Sequence, residues 1–478
     1  MRNSHRTIVS AIAILALAGC ARTYTPQEHN QGLAYEDYIQ ASKTIYAAIG
    51  DPSSEPTAEE LRAMILKNQS LDMDLMPIGY WNYVHLGGQF GEHMNEDEVR
   101  GWAENGVTLM KGPEWSANDE DQKARLKQLL YWCETHDVKM MVRDWRMYKP
   151  DDENTKSAEA SIADFASHPA FFGYHCYDEP RFDPEKPDDL GVVAQPLWMK
   201  EQLPDARPFI TAGAFTPGAH SYMGVESYPD YFDRFGREGA LDFFSANQYA
   251  GMYQGRMGWN DYFTTMRLLR EASWEYGIPF WTTLCSVGHF GMPPVTHDTQ
   301  NWQFNTAVAS GSTGVLWYYY YMRNPQKDYR DSPIDAFWER TPTWDVMRKI
   351  HTGFHGRYGD LFLNMAVTRV SFLPDGYGGG NVLEVDASDV VANAVAASDE
   401  TVPLMISEFV DLEGRRFVMV VNIDRERSVF MGVKFPGDDV QIYAYDWQSN
   451  GRERRGASDN RYGVPSPVQR RDDALVVS

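Results

Sequence analysis

The chain has 478 residues, 43% hydrophobic and 23% charged, which at roughly 100–200 residues per domain is enough for two or three domains with a substantial core. Lys and Arg number 44 against 67 Asp and Glu, a formal charge of −23, and a surface of that sign repels a phosphate backbone, so nucleic acid is not an expected partner. Aromatic residues reach 13%, with 14 Trp and 27 Tyr, side chains whose flat apolar bodies and polar tips suit half-wet positions.

At the N-terminus, Arg2 and Arg6 precede an apolar run from Ile8 to Leu17 and the small residues Ala18 and Gly19, the layout of a secretory signal and too short to span a bilayer. Leu17-Ala18-Gly19-Cys20 resembles the lipobox of bacterial lipoproteins. The resemblance implies loss of residues 1–19, acylation of Cys20 and a lipid anchor, and Ala21 after the cysteine implies outer-membrane delivery. Residues 20–33 are polar and turn-rich and read as a tether. An N-terminal helical segment is expected over 34–69, its first helix at about 34–49 ending before the break from Asp51 to Pro56. Besides Cys20 there are Cys133, Cys176 and Cys285, in apolar segments and without a C-x-x-C pair. No disulfide is expected, and the three read as small buried hydrophobes.

From about residue 70 a repeating order sets in: apolar run, polar tip, helix-like stretch. The apolar runs lie at 74–84, 106–115, 138–148, 171–180, 207–215, 241–249, 278–287 and 313–323. Helical spacing marks segments between them such as 95–106, 118–137, 259–277 and 296–311. Strands that alternate with helices predict parallel β-structure with right-handed crossovers. Eight near-continuous apolar strands fit a (β/α)8 TIM barrel over 70–358 better than an open sheet, and no nucleotide-binding glycine motif follows any of them.

Beyond about 359 the pattern changes to short alternating runs broken by Gly, Asp and Asn. Asp411-Leu412-Glu413-Gly414, between runs at 404–409 and 416–422, is a hairpin signal. Residues 359–478 are therefore expected to form an antiparallel β-sandwich, giving an α/β chain with a trailing β domain.

On a barrel the chemistry belongs at the C-terminal ends of the strands. The fourth run delivers Tyr177, Asp178 and Glu179 to its tip, and Pro180 stops the ladder because it has no N–H. Alternation along a strand sends the two acids to opposite faces, so Glu179 is expected to look into the mouth beside Tyr177 and His175, with Asp178 turned toward the helices. A carboxyl group framed by aromatic rings is desolvated, which raises its pKa and suits general-acid work.

The Asp178-Glu179-Pro180 tip, the aromatic eighth strand Trp317 to Tyr321 preceded by Gly311-Ser312-Thr313-Gly314, and the trailing β domain resemble the (β/α)8-barrel glycoside hydrolases of polysaccharide-degrading bacteria. In the large clan of such barrels the acid/base is a glutamate at the end of strand four. The resemblance assigns that role to Glu179 and implies a poly- or oligosaccharide substrate. The clan's strand-seven nucleophile has no match, since residues 280–289 contain no acid. Asp144, on the strand adjoining the fourth, is the first choice for the second carboxylate, followed by Glu114, Asp178 and Glu226. Asp144 also stands between Arg143 and Arg146, where an ion pair competes with catalysis.

Trp81, Trp115, Trp145, Tyr177 and Tyr249 sit near strand tips, where a sugar ring could stack, and Trp317 and Tyr319 share one face of the eighth strand. Asn247, Gln248 and His289 could hydrogen-bond hydroxyls. No H-E-x-x-H or G-x-S-x-G is present, so neither a metal nor another cofactor is expected. The expectation is an exported, lipid-anchored glycosidase. The alternatives are a non-catalytic glycan-binding lipoprotein on the same scaffold and a polysaccharide lyase. Oligomeric state is not legible.

Overall fold

The computed structural model describes residues 55–429, apart from 149–151, 187–189, 217–218, 254–257, 290–291, 293, 323–328, 384–392 and 397–398, together with short strands after 429. The signal segment, Cys20, the tether and the helix expected at 34–49 lie outside the described residues.

Each of the eight apolar runs contains one parallel strand: β1 (Ile78–Tyr80), β2 (Leu109–Lys111), β3 (Lys139–Val142), β4 (Phe171–Asp178), β5 (Pro208–Thr211), β6 (Phe244–Asn247), β7 (Phe280–Cys285) and β8 (Val315–Tyr318). They form two arcs, β2-β3-β4-β5 and β6-β7-β8-β1. The arcs join at both seams. Ala212 pairs with Ala246 beyond β5, its N–H bonding Ser245 O at 2.8 Å, and Thr108 N bonds Ile78 O at 2.9 Å between β1 and β2. The result is a closed (β/α)8 barrel. At the second seam β1 carries Gly79, where a Cβ would stand 1.6 Å from Leu109 O, so only glycine admits this approach.

Leu109, Met141, Phe172, Phe209, Phe243, Trp281 and Leu316 fill the barrel interior. A larger apolar layer lies between the strands and the surrounding helices. Those helices start where local chemistry dictates: Asn95 caps Glu96–Glu104, Asp119 caps Glu120–Thr135, and Thr296 closes a capping box on His297–Ala309.

The β domain follows the helix Pro342–Tyr358. One sheet has the order β10-β9-β12-β13, from β9 (Met365–Leu373), β10 (Asn381–Val382), β12 (Leu404–Asp411) and β13 (Arg416–Asn422). The second runs β11-β14-β18-β17, from β11 (Asn393–Ala396), β14 (Met431–Lys434), β17 (Gln469–Arg471) and β18 (Ala474–Val477). β15 (Tyr443–Ala444) and β16 (Arg455–Gly456) pair separately. Pairing is antiparallel apart from the short β9–β10 contact. The expected hairpin is present, with Gly414 at φ +76° and its N–H bonded to Asp411 O at 3.1 Å.

This domain does not stand apart from the barrel. Trp274 and Trp302, on the helices Trp259–Tyr276 and His297–Ala309, donate their indole N–H groups to Val367 O and Ile423 O at 3.0 and 2.8 Å. The helix Ala58–Gln69 also packs on the sheet, with Leu61, Met64 and Ile65 against Trp274 and Ala366.

Candidate active site

At the tip of β4 the structure departs from simple alternation. The register with β5 slips between His175 and Tyr177, and Glu179 takes a left-handed backbone, φ +49°, its N–H bonded to Thr211 O at 2.8 Å. The expectation that Asp178 and Glu179 face opposite ways is therefore corrected, because neither the slip nor the left-handed turn preserves a two-residue period. Both acids turn to one amide. Asn247 Nδ2 donates to Glu179 Oε1 at 2.8 Å and to Asp178 Oδ1 at 3.4 Å, so the two acceptor oxygens lie within about 6 Å of each other.

Asp178 reaches solvent at the open mouth, but protein occupies most of the volume around its carboxyl group. That desolvation first, and the charge of Glu179 second, push its pKa up to about 6. Lys111 and Arg143 pull weakly in the other direction. His175, expected beside the pair, instead lies buried inside the barrel. Its ring meets Trp81 edge-on at 5.1 Å, and burial holds it far below the usual histidine range and hence neutral.

Glu114 joins two cations. Its Oε1 accepts from Lys111 Nζ at 3.1 Å and from Arg143 Nη1 at 2.7 Å. Burial alone would raise its pKa, but the two partners together bring it below the usual carboxylate range. Lys111 is fully buried, also donates to Asn82 O at 3.0 Å, and points at the rings of Trp81 and Tyr83. The guanidinium of Arg143 covers one face of Trp145 at 4.6 Å, leaving that ring 55% exposed.

Asp144 has a different place. It is buried, accepts from Arg146 Nη2 at 2.7 Å and from Ser161 Oγ at 2.6 Å, and faces the helix Asp152–Phe165. Its acceptor positions are taken by Arg146 and Ser161, so the ion pair rather than the second catalytic carboxylate describes it. Glu226 is exposed beyond β5.

The aromatic candidates divide by depth. Trp81 and Tyr319 are buried in the interior, and Trp115 is buried with its indole N–H on Arg143 O at 2.8 Å. Trp317 points out of the barrel wall, against Phe304 and His351. It cannot line the mouth with Tyr319 as expected: β8 ends at Tyr318, and strand alternation ends there. Tyr249 is half-buried at the rim and stacks on Tyr318 at 5.3 Å. His289 stacks on Tyr329 at 4.6 Å, and Tyr83 meets Tyr318 edge-on at 6.0 Å. Opposite, half-buried Tyr177 meets Tyr148 edge-on at 5.4 Å, and Tyr148 packs on Trp145.

Sequence reasoning missed Lys111, Tyr83 and Tyr329, and weighed Arg143 only as an ion-pair partner of Asp144. Lys111 carried a readable signal, a basic residue closing an apolar strand. The others depend on which strands become neighbours. Gln248, expected to meet a hydroxyl, is buried and donates to Thr265 Oγ1 at 2.7 Å.

Cys133, Cys176 and Cys285 are free and buried. A cavity of about 490 Å³ lies far from the strand tips, between the helix Ala58–Gln69 and strands β9 and β12. It has Glu55 and Arg369, an ion pair, in its wall and none of the mouth residues.

No protein-family model matches the chain, and no curated protein matches it. Among solved structures it is similar to a β-galactosidase from the psychrophilic Marinomonas ef1, at 9% identity over 59% of this chain and 60% of that one, TM-score 0.44. It is similar to a cold-adapted β-galactosidase from Rahnella sp. R3, at 11% identity over 63% and 58%, TM-score 0.47. A family 39 glycoside hydrolase from the gut symbiont Bacteroides cellulosilyticus WH2 aligns at 12% identity over 85% and 79%, TM-score 0.45. The chain spans about three fifths of the length of the two β-galactosidases.

Proposed function

We propose that the protein is a glycoside hydrolase whose catalytic pair is Asp178 and Glu179, acting on a sugar seated between the tyrosines of the rim and Trp145. The observation that carries this reading is the shared amide of Asn247, which gathers two adjacent carboxyl groups at the open end of the barrel. One of the two carries a proton up to about pH 6, and the other accepts the shorter hydrogen bond.

The proton belongs to the pair, and Asp178 is the member on which burial and the neighbouring charge hold it. Asp178 gives that proton to the leaving oxygen as the glycosidic C–O bond breaks, and the Glu179 carboxylate bonds to the anomeric carbon. Water, deprotonated by Asp178, then displaces Glu179 and restores both groups. The acid role expected of Glu179 thus passes to its neighbour. Two carboxyl oxygens held on one amide are compatible with the ~5–5.5 Å spacing of a retaining pair, and the configuration of the product decides between retention and inversion.

The test uses the full chain on a panel of 4-nitrophenyl glycosides and soluble bacterial polysaccharides, with product configuration followed by NMR. Asp178→Asn and Glu179→Gln are each expected to lose about a thousandfold in rate while glycan binding persists. Cleavage untouched by both substitutions would overturn the reading.

A second reading, a non-catalytic glycan-binding protein, is favoured by one observation: β7 ends in Thr283, Leu284 and Cys285, with no acid. Binding without cleavage by the unmodified chain would select it. Export and a lipid anchor on Cys20 complete the proposal. Labelling by radioactive palmitate, lost in Cys20→Ser, tests the anchor.

A further inference from the structure

Which way Asn247 faces decides what the acid pair meets. An amide has a donor side and an acceptor side of nearly the same shape, so its neighbours must choose between them. Here the choice falls to Thr211. Its hydroxyl, fully buried at the end of β5, donates to Asn247 Oδ1 at 3.3 Å and receives the hydroxyl of Ser245 at 3.5 Å. With its carbonyl engaged, Asn247 has only its NH2 group to offer Glu179 and Asp178. Thr211 also acts through its backbone. It lies opposite Asp178 in the strand register, and its carbonyl accepts the N–H of Glu179 in the left-handed turn. One residue thus holds the turn that brings the acids together and the amide that joins them.

We infer that Thr211 is the positioning residue of the acid pair: its hydroxyl locks Asn247 donor-side toward Asp178 and Glu179 and so holds the two carboxyl groups on one amide. The inference rests on the proposed catalytic role of that pair. Every hydrogen bond from Ser245 through Thr211 and Asn247 to the carboxyl groups points in one direction, each group donating to the next. A reversed amide would set its oxygen against two acceptors and would favour protonation of the pair. The other ionisable groups facing the pair are Lys111 from β2, Arg143 beyond β3, Tyr228 and Tyr231 from the helix Tyr228–Arg237, and Tyr249 beyond β6. None of them touches Asn247 Oδ1 among the described hydrogen bonds, so none substitutes for Thr211.

The experiment follows the side-chain carboxyl carbons by 13C NMR in full-length protein labelled in Asp and Glu, with Asp178→Asn and Glu179→Gln assigning the two signals. Thr211→Val is expected to raise the pair's titration midpoint by about one pH unit, and Thr211→Ser to keep the native value. Thr211→Ala removes the same hydroxyl and replaces Val if the added methyl prevents folding. On any 4-nitrophenyl glycoside that the native chain cleaves, Thr211→Val should lower kcat about tenfold with little change in KM, and its alkaline limb should move up with the midpoint. A midpoint unmoved in both Val and Ala variants, or moved equally in Ser, overturns the inference. If the native chain cleaves no glycoside, the catalytic reading fails, and the titration still decides whether Thr211 sets the proton affinity of the pair.

Discussion

Lys111 and Arg143 meet on a single oxygen, Glu114 Oε1, at 3.1 and 2.7 Å. One carboxylate thereby compensates two cations, one of them fully buried, within electrostatic reach of Asp178. Glu114→Gln keeps an acceptor but removes the charge. The less compensated cations then favour ionised Asp178, so its pKa should move down from about 6 and the alkaline limb of activity should move to lower pH. Stability should fall by about 2–4 kcal/mol, since a buried ammonium loses its counter-charge. A pH–rate profile and urea unfolding check both, and an upward shift of the limb would contradict the electrostatic account.

Asp178 is also a source of instability at neutral pH. The folded chain holds its proton up to about pH 6, whereas an unfolded aspartate releases it near 3.9. Between these values the folded state binds more protons, so stability declines as pH rises through the window and the loss is complete above it. Asp178→Asn removes the penalty. After allowance for solvent screening at this exposed group, the variant should be more stable than the native chain by roughly 1 kcal/mol at pH 7 and lose that advantage at pH 4. Denaturant titrations at the two pH values read this directly.

Two tryptophans expected to share a task should separate cleanly. Trp145→Ala leaves an exposed platform empty, and is expected to raise KM or weaken glycan binding about five- to tenfold with little effect on unfolding. Trp317→Ala opens a cavity between β8 and the helices and should cost about 3–5 kcal/mol of stability. Calorimetry alongside binding isotherms distinguishes them, and equal destabilisation by both would be inconsistent with their placement.

Gly79→Ala places a Cβ on Leu109 O at the seam that closes the barrel. The strands must part to admit it, and the expected cost exceeds about 3 kcal/mol, seen as a lower unfolding midpoint or loss of soluble protein.

The barrel was legible because its signals are local. Each of the eight apolar runs holds a strand, and caps such as Thr296 and Asn95 open helices where expected. The tip of β4 was legible as a location but not as an arrangement. Nothing in the composition marks Glu179 as a non-glycine residue at positive φ or the register slip before it, and together these bring the two acids to one side. For the aromatic run after residue 316, facing was unreadable because it depends on the residue at which β8 stops. The surroundings of Lys111 were unreadable for a further reason: Glu114 is close in sequence, but Asn82, which accepts from Lys111, and Arg143, which shares Glu114 with it, come from different loops that only closure of the barrel brings together.

The indole bonds from Trp274 and Trp302 into the β domain make the two halves of the chain mechanically inseparable. The helices that enclose β6 to β8 use the sheet of β9, β12 and β13 as their outer wall, with Val367, Phe372, Phe409 and Ile423 in the same apolar layer. A chain cut after Tyr358 would keep all eight strands and still present a raw apolar flank to water. The β domain therefore behaves as the last stave of the barrel, and an enzyme rebuilt from this scaffold must carry it along.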